Sequence, residues 1–504
     1  MTLRQLLRQL PPASIKEKHI SPSALEHPLS ALCEDAREIK PGDVYICVRG
    51  TKFDGHKAIT NAVARGAACV ILSDPSYAPA LAVPWIAVDD TRALLLPLYL
   101  AFLGHPERHI KLFAVTGTNG KTSVTYLLEA IFARHGGCAV FGTVENRIGG
   151  EVFPSENTTP TPKMLAHLLA RARDCGVKYA VLEASSHALV QKRLSSLCFE
   201  VGIFLNLTED HLDYHKSTEA YYNAKRSLFF SCKKCLFVAD DPYGKRLYAD
   251  PAFAKRAYSI SAKEENINIS DFYLYPPFAD TNDIQKRRFF LALPDALLCL
   301  STSLEGSFAP INASVSAACA YLAHIPLDDI AEGIRSLKTI PGRMERIVRK
   351  PFSVYCDYAH TPDALQKALL GLKQSKGGHL SVLFGCGGDR EKQKRPKMGK
   401  IATSLADRVF LTADNSRTEP LFSILAGIVS GIPMSERHKV TLICSRADAI
   451  AQMLDTAQPN DTLLLAGKGH EAYETDASGT HPFSEKSIVK AVLARQNRKD
   501  PSFL

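Results

Sequence analysis

The segment Thr116-Gly117-Thr118-Asn119-Gly120-Lys121-Thr122 carries the strongest chemical signal in the chain. Its glycines let backbone N–H groups close around phosphate oxygens, and a helix starting at Lys121 adds the positive end of its dipole. Lys121 is suited to neutralise β- and γ-phosphate charge, and the Thr122 hydroxyl to hold a magnesium ion. Val115 stands where the first glycine of G-x-x-x-x-G-K-[ST] would be, so the loop departs from the common phosphate-binding pattern. Other residues are less distinctive alone. Glu183 ends an apolar run, where α/β folds place ligand-binding groups, but it also reads as a surface carboxylate closing a strand. His211 lies past a second apolar run, and magnesium prefers oxygen to imidazole. Lys225 alone reads as a solvated helix lysine, Asn312 as a helix-start residue, Arg343 as a linker charge and Asp357 as a strand end.

These residues need a scaffold, and the hydrophobic pattern supplies one. Short β-rich apolar runs alternate with helical patterns along the chain, which indicates α/β domains with largely parallel sheets. Strands are expected at 43–48, 69–72, 85–88, 111–115, 179–182 and 201–205, then at 353–356, 380–384, 408–411, 440–443 and 462–465. Helices are expected at 57–65 and from 121 to about 134, the latter with Val124, Leu127, Leu128, Ile131 and Phe132 on one face. Boundaries are expected at Gly104-His105-Pro106, because the residue before proline disfavours helix, and near Pro341-Gly342. The polar stretch 261–288 reads as an irregular surface excursion.

The 504 residues suggest roughly three domains at about 150 residues each. With 46% hydrophobic and 22% charged residues, the composition excludes collagen-like and wholly disordered chains. A net charge of +9 is spread along the sequence, which favours acidic small molecules over nucleic acid as partners. Thirteen scattered cysteines form no disulfide framework and point to a reduced, cytoplasmic protein. Cys232 and Cys235 read as two half-buried thiols beside a strand. The most apolar run, 93–103, contains Pro97 and is about half the ~20 residues of a membrane span.

Gly117-Thr-Asn-Gly-Lys-Thr122 resembles the ATP loop of the Mur ligase family, a group of ATP-dependent amide-forming enzymes. Further matches follow in order: Asn157-Thr-Thr-Pro160, Glu183-Ala-Ser-Ser-His187, Gln191-Lys-Arg193, Asn206-Leu-Thr-Glu-Asp-His211-Leu-Asp-Tyr-His215 and Ala224-Lys225. Asp357-Tyr-Ala-His-Thr-Pro-Asp363, Gly385-Cys-Gly-Gly-Asp-Arg390 and Gly467-Lys-Gly-His-Glu471 continue the pattern across all three segments. The resemblance implies three α/β domains. These are a smaller uridine-diphosphate-binding domain at 1–106, a central ATP-binding domain at 107–340 with a P-loop-type, mostly parallel sheet, and a Rossmann-like doubly wound amino-acid-binding domain at 341–504.

It also implies the reaction: ATP-dependent addition of meso-diaminopimelate to a UDP-muramoyl dipeptide, by a monomer with small-molecule partners and no membrane insertion. ATP would be held by Gly117, Thr118, Asn119, Gly120, Lys121, Thr122, Ser123, Asn312, Arg343 and Asp357. The implied catalytic residues are Lys121, Glu183, His211 and Lys225. Mg²⁺ would sit with Thr122, Glu183, His211 and a Lys225 carbamylated by CO₂, which turns a cation into an oxygen-bearing anion. The muramoyl dipeptide would contact Ala36, Asn157, Thr158, Thr159, Ser185, Gln191 and Arg193. Ala36 replaces the family's usual serine, which removes one hydroxyl contact to uracil; Thr51, Lys52 and Phe53 align with the nucleotide-contacting loop. Diaminopimelate would be read by Arg390, Asp414, Asn415, Ser416, Arg417, Gly467 and Glu471. In Asp414-Asn415-Ser416-Arg417, Ser416 replaces a proline and Arg417 supplies the guanidinium that a distal carboxylate needs. L-Lysine as acceptor and a folylpolyglutamate synthase-like ligase are the alternatives. A switch or motor ATPase would want a basic patch, and the nearest run, 390–397, reads as a loop beside an anionic site.

Overall fold

A computed structural model describes residues 1–50, 53–78, 81–275, 287–375 and 377–499. Thr51 and Lys52 therefore lie outside the described residues, as does much of the polar stretch 261–288. The chain forms two compact units: Met1–Thr116 with Gly136–Gly202 and Ala224–Cys235, and Gly117–His135 with Ile203–Asn223 and Leu236–Leu504.

In the first unit, the runs Cys-Val-Ile-Leu and Trp-Ile-Ala-Val are buried throughout as strands Cys69–Leu72 and Trp85–Val88. Strands with both faces covered need no polar alternation. They sit in a five-stranded sheet ordered Ile15–His19, Trp85–Val88, Cys69–Leu72, Val44–Ile46, Leu32–Cys33, with only the first strand antiparallel. The expected helix at 57–65 is shorter, Ile59–Ala64. The apolar run at 93–103 lies in helix Thr91–Phe102, capped by the Asp90 carboxylate. A second set of strands places Tyr179–Glu183 between the parallel Lys111–Thr116 and Cys138–Phe141, followed by antiparallel Asn146–Ile148 and Glu151–Phe153. Glu183 is level with Val115 and so stands at the carboxyl end.

In the second unit, helix Lys121–Phe132 packs against helices Ala309–Leu322 and Leu327–Ser336. A Cβ on Gly333 would lie 2.6 Å from the Ile131 Cα, so glycine is what lets these helices approach. The stretch 261–288 is not irregular throughout. It contains strand Phe272–Tyr275 and the start of Arg287–Ala292, which pair antiparallel. Two arginines opening the second strand hid it from an apolar-run reading. The six-stranded sheet is ordered Glu345–Val348, Ser353–Asp357, Thr462–Ala466, Leu380–Phe384, Arg408–Leu411, Val440–Leu442, and all but the first are parallel. Separate apolar cores cover its two faces, the doubly wound arrangement expected. Its carboxyl ends lead into Gly385, Thr412 and Gly467, where such sheets bind ligands.

Two local expectations change. Cys232 and Cys235 belong to strand Cys232–Val238 and are fully buried rather than half-buried beside it. The basic run 390–397 is not a loop throughout, because helix Lys394–Leu405 begins inside it and buries Arg395.

Candidate functional site

The phosphate loop is braced by its own unit. The Asn119 N–H donates to the Asn206 side chain at 2.9 Å, the Thr118 N–H to the Asn206 carbonyl at 3.0 Å, and the Thr208 N–H to the Thr118 hydroxyl at 3.0 Å. Gly120 has φ +92°, and a Cβ there would come within 3.1 Å of the Asn312 amide oxygen. Glycine therefore admits both the left-handed turn and Asn312. Lys121 Nζ donates to the carbonyls of Gly117 at 2.9 Å and Thr118 at 3.0 Å. Ser123 lies buried in the first turn of the helix.

Arg343 is brought to the same loop. Its Nη2 donates to the Thr122 hydroxyl at 2.9 Å, its guanidinium lies over the Tyr358 ring at 4.7 Å, and its buried Nε has no hydrogen-bond partner among the described residues. A spare buried guanidinium donor suits an anion such as phosphate. Asp357 ends its strand and accepts from the Met344 N–H at 2.6 Å, fixing the turn that carries Arg343. Burial pushes the Asp357 carboxyl up, against the opposing pull of Arg343. His211 caps a short helix in a left-handed conformation, 3.4 Å from Asp210 and edge-on to Tyr221, whose hydroxyl meets Thr118 at 3.2 Å.

In the first unit, Glu183 is 1% exposed. Its two oxygens accept from Thr143, one from the N–H at 3.0 Å and the other from the hydroxyl at 2.8 Å. Thr143 also reaches the Thr158 hydroxyl at 3.2 Å. The buried Thr159 hydroxyl donates to the Glu183 carbonyl at 2.6 Å and accepts from the Ser185 N–H at 3.0 Å. Arg193 donates to the Thr159 carbonyl at 2.8 Å and to the Gln191 side chain at 2.9 Å. Five of the seven expected muramoyl contacts thus form one hydrogen-bonded group with Glu183. Asn157 is exposed beside them. Ala36 does not join: its methyl packs into the core of the five-stranded sheet, because alanine has no polar atom to keep it at the surface.

Lys225 is 1% exposed, so the local reading of a solvated lysine is wrong. Among the described residues, no group of three or more His, Cys, Asp or Glu is gathered to hold a metal ion. Of the expected donors only Glu183 and His211 are of these types; Thr122 and Lys225 are not. Magnesium takes few protein oxygens and completes its shell from water and phosphate. The Thr122 hydroxyl and the buried Glu183 carboxylate fit that chemistry; His211 supplies nitrogen, and Lys225 fits only as a carbamate.

The third group lies at the carboxyl ends of the six-stranded sheet. Asn415 Nδ2 donates to Glu471 at 2.8 Å, and Asn415 Oδ1 accepts from Lys468 Nζ and from the Thr475 N–H, each at 3.0 Å. Lys468 is completely buried, 3.6 Å from Asp414 and 3.7 Å from Glu471. Burial works to raise the Asp414 carboxyl, but Arg446 and Lys468 hold it below its usual range; burial pushes Glu471 up. Gly467 lies against Asp414, where a Cβ would stand 3.1 Å from its carboxylate. Arg417 Nη1 donates to the carbonyls of Gly388 at 2.9 Å and Asn415 at 3.1 Å, which fixes the guanidinium plane. Ser416 is half-buried in the same loop, and Arg390 is exposed. Lys468 and Thr143 were missed. Lys468 sat inside the quoted Gly467–Glu471 motif, whereas nothing around Thr143 marks it.

Three family descriptions match the chain: Mur ligase family, catalytic domain, over 29–111; Mur ligase middle domain over 115–320; and Mur ligase, glutamate ligase domain, over 342–469. The chain is similar to the UDP-N-acetylmuramoyl-L-alanyl-D-glutamate--2,6-diaminopimelate ligase of Synechococcus elongatus, with 37% identity covering 98% of this chain and 99% of the relative. It is 36% identical to the protein of that name from Caldanaerobacter subterraneus subsp. tengcongensis, covering 93% and 96%. A solved structure of that name superposes with TM-score 0.68 at 29% identity, covering 99% of both chains.

Proposed function

The chain belongs to the Mur ligase family, and from that premise we propose that it joins meso-2,6-diaminopimelate to UDP-N-acetylmuramoyl-L-alanyl-D-glutamate at the expense of ATP. The observation that carries the choice of amino acid is the Arg417, Asn415 and Glu471 arrangement. Arg417 presents a fixed guanidinium for a distal carboxylate, and Glu471 a carboxylate for an ammonium. L-Lysine has no distal carboxylate to use the first of these. The coverage of 98% of this chain and 99% of the relative favours this reading over a folylpolyglutamate synthase-like ligase.

Amide formation from a carboxylate is uphill and has a poor leaving group. Phosphorylation by ATP gives an acyl phosphate, which the amine can attack. In this reading the loop amides, Lys121 and Arg343 hold the triphosphate, and Asn312 and Asp357 shape its surroundings. Thr158, Thr159, Ser185, Gln191 and Arg193 orient the muramoyl dipeptide so that its carboxylate meets the γ-phosphate. Thr122, Glu183, His211 and carbamylated Lys225 are the residues that would hold Mg²⁺, which would supply charge neutralisation on the phosphates. Positive charge, aimed where negative charge gathers in transfer, is the main source of acceleration. We assign residues 1–106 to the uridine end, 107–340 to ATP and the carboxylate, and 341–504 to the incoming amino acid. Thirteen cysteines with no disulfide among the described residues suit a reducing cytoplasm, and among those residues no helix is long and apolar enough to cross a membrane.

The test compares diaminopimelate with L-lysine as acceptor at equal ATP and UDP-muramoyl dipeptide. Diaminopimelate is expected to win by orders of magnitude in kcat/KM, and Arg417→Ala to erase most of that advantage while sparing KM for ATP. Equal loss for ATP and amino acid would overturn the assignment of Arg417.

A further inference from the structure

Among the residues assigned to the amino acid, Arg390 and the Asp414–Arg417 run come from two loops at the ends of neighbouring parallel strands, Leu380–Phe384 and Arg408–Leu411, and Gly467 and Glu471 from a third loop after Thr462–Ala466. Arg417 sits in the second loop, yet one of the two carbonyls that fix its guanidinium, that of Gly388, belongs to the first. The aim of Arg417 therefore depends on how the loops are held together. Part of that hold is backbone, with the Gly388 N–H donating to the Asn415 carbonyl at 2.9 Å. Much of the rest converges on Glu419, which has the exposed Lys392 ammonium at 3.5 Å and the buried Arg395 guanidinium closer. Arg395 donates through Nη1 and Nη2 to the two oxygens of Glu419, at 2.8 and 2.7 Å. Arg395 Nη2 also reaches the Gly387 carbonyl at 3.3 Å, and Glu419 accepts from the Asp389 N–H at 3.1 Å. Asp389 in turn accepts from the Thr418 N–H at 3.0 Å and its hydroxyl at 2.8 Å.

This pair differs from a surface salt bridge. Its side chains are 3% and 9% exposed, the geometry is bidentate, and each partner also grips the first loop. Exposed pairs contribute little, whereas a buried bidentate pair fixes geometry and is costly to break. Neither residue belongs to the group assigned to the amino acid.

We propose that Arg395 and Glu419 form a positioning clasp that sets the guanidinium of Arg417, and thereby the preference for an amino acid with a second, distal carboxylate. The proposal rests on the reading of Arg417 given above. A clasp of this kind acts on selectivity, whereas a merely structural pair would act on stability and on all substrates alike.

The experiment measures kcat/KM for diaminopimelate and L-lysine, and KM for ATP and the UDP-muramoyl dipeptide, in the full-length wild type, Glu419→Gln and Arg395→Lys. Glu419→Gln keeps the side chain's size and an oxygen for the Asp389 N–H but removes the charge. The diaminopimelate-to-lysine ratio is expected to fall about tenfold or more in both variants, the scale of one charge-assisted hydrogen bond. KM for ATP and the dipeptide should stay within about twofold of wild type. If neither variant folds, Thr418→Ala, which loses only the exposed hydroxyl bond to Asp389, must lower the same ratio. An unchanged ratio in folded variants, or parallel loss for every substrate, overturns the clasp and leaves the reading of Arg417 standing. A wild type with no preference for diaminopimelate overturns both.

Discussion

Arg343 donates a 2.9 Å hydrogen bond to the hydroxyl of Thr122, a residue 221 positions earlier in the chain. The contact ties the turn before the six-stranded sheet to the first residues of the phosphate-loop helix. Arg343→Ala should raise KM for ATP about tenfold to a hundredfold, as expected from losing a charge-assisted bond worth about 1.5–3 kcal/mol. Arg343→Lys should recover little, because an ammonium has neither the planar fork nor the face that lies on Tyr358 at 4.7 Å. Nucleotide titration of both variants checks this.

Lys468 faces two carboxylates and is completely buried. Lys468→Met leaves Asp414 and Glu471 without that countercharge. Breaking such a pair costs about 3–5 kcal/mol, seen as a lower Tm. Activity adds a sharper readout. Glu471 must be ionised to pair with an ammonium, its carboxyl is already pushed up by burial, and Lys468 pulls it down. Removing Lys468 should therefore move the acid limb of kcat/KM for diaminopimelate to higher pH.

The pair Arg395–Glu419 also makes a prediction about stability. Its hydrogen bonds to Arg395 hold the Glu419 carboxyl down at about 2. A carboxylate depressed in the folded state stabilises above its unfolded pKa of about 4.3 and loses that contribution as pH falls through the folded value. Glu419→Gln should lower the urea midpoint at pH 7, and the difference from wild type should narrow as pH drops from about 4 toward 2.

Lys225 offers a test that needs no substitution. A buried lysine that carries CO₂ as a carbamate should lose activity in buffer stripped of CO₂ and regain it with bicarbonate. Lys225→Ala should be inactive in both conditions. Equal wild-type rates with and without CO₂ would remove the carbamate from the account.

These examples also show what the amino-acid order makes legible. Strands such as Leu380–Phe384 and Arg408–Leu411 lie where their apolar runs are, because a strand covered on both faces must be apolar along its length. Phe272–Tyr275 is as apolar, but it lies in polar surroundings and pairs with a strand that opens on two arginines. The phosphate loop was legible because its glycines and lysine act locally. The burial of Lys225 and Lys468 was not, since a local pattern reports which face a residue occupies and not what distant segments cover it. Ala36 shows the converse limit. A family position can be matched in sequence while its side chain lies in the core.

Transfer of oxygen tests the central claim most directly. The UDP-muramoyl dipeptide is labelled with oxygen-18 in the carboxylate to be activated and incubated with the enzyme, ATP, magnesium and diaminopimelate. Activation as an acyl phosphate predicts a new peptide bond and one labelled oxygen in each released phosphate. Phosphate released without label, or without any new peptide, would contradict it.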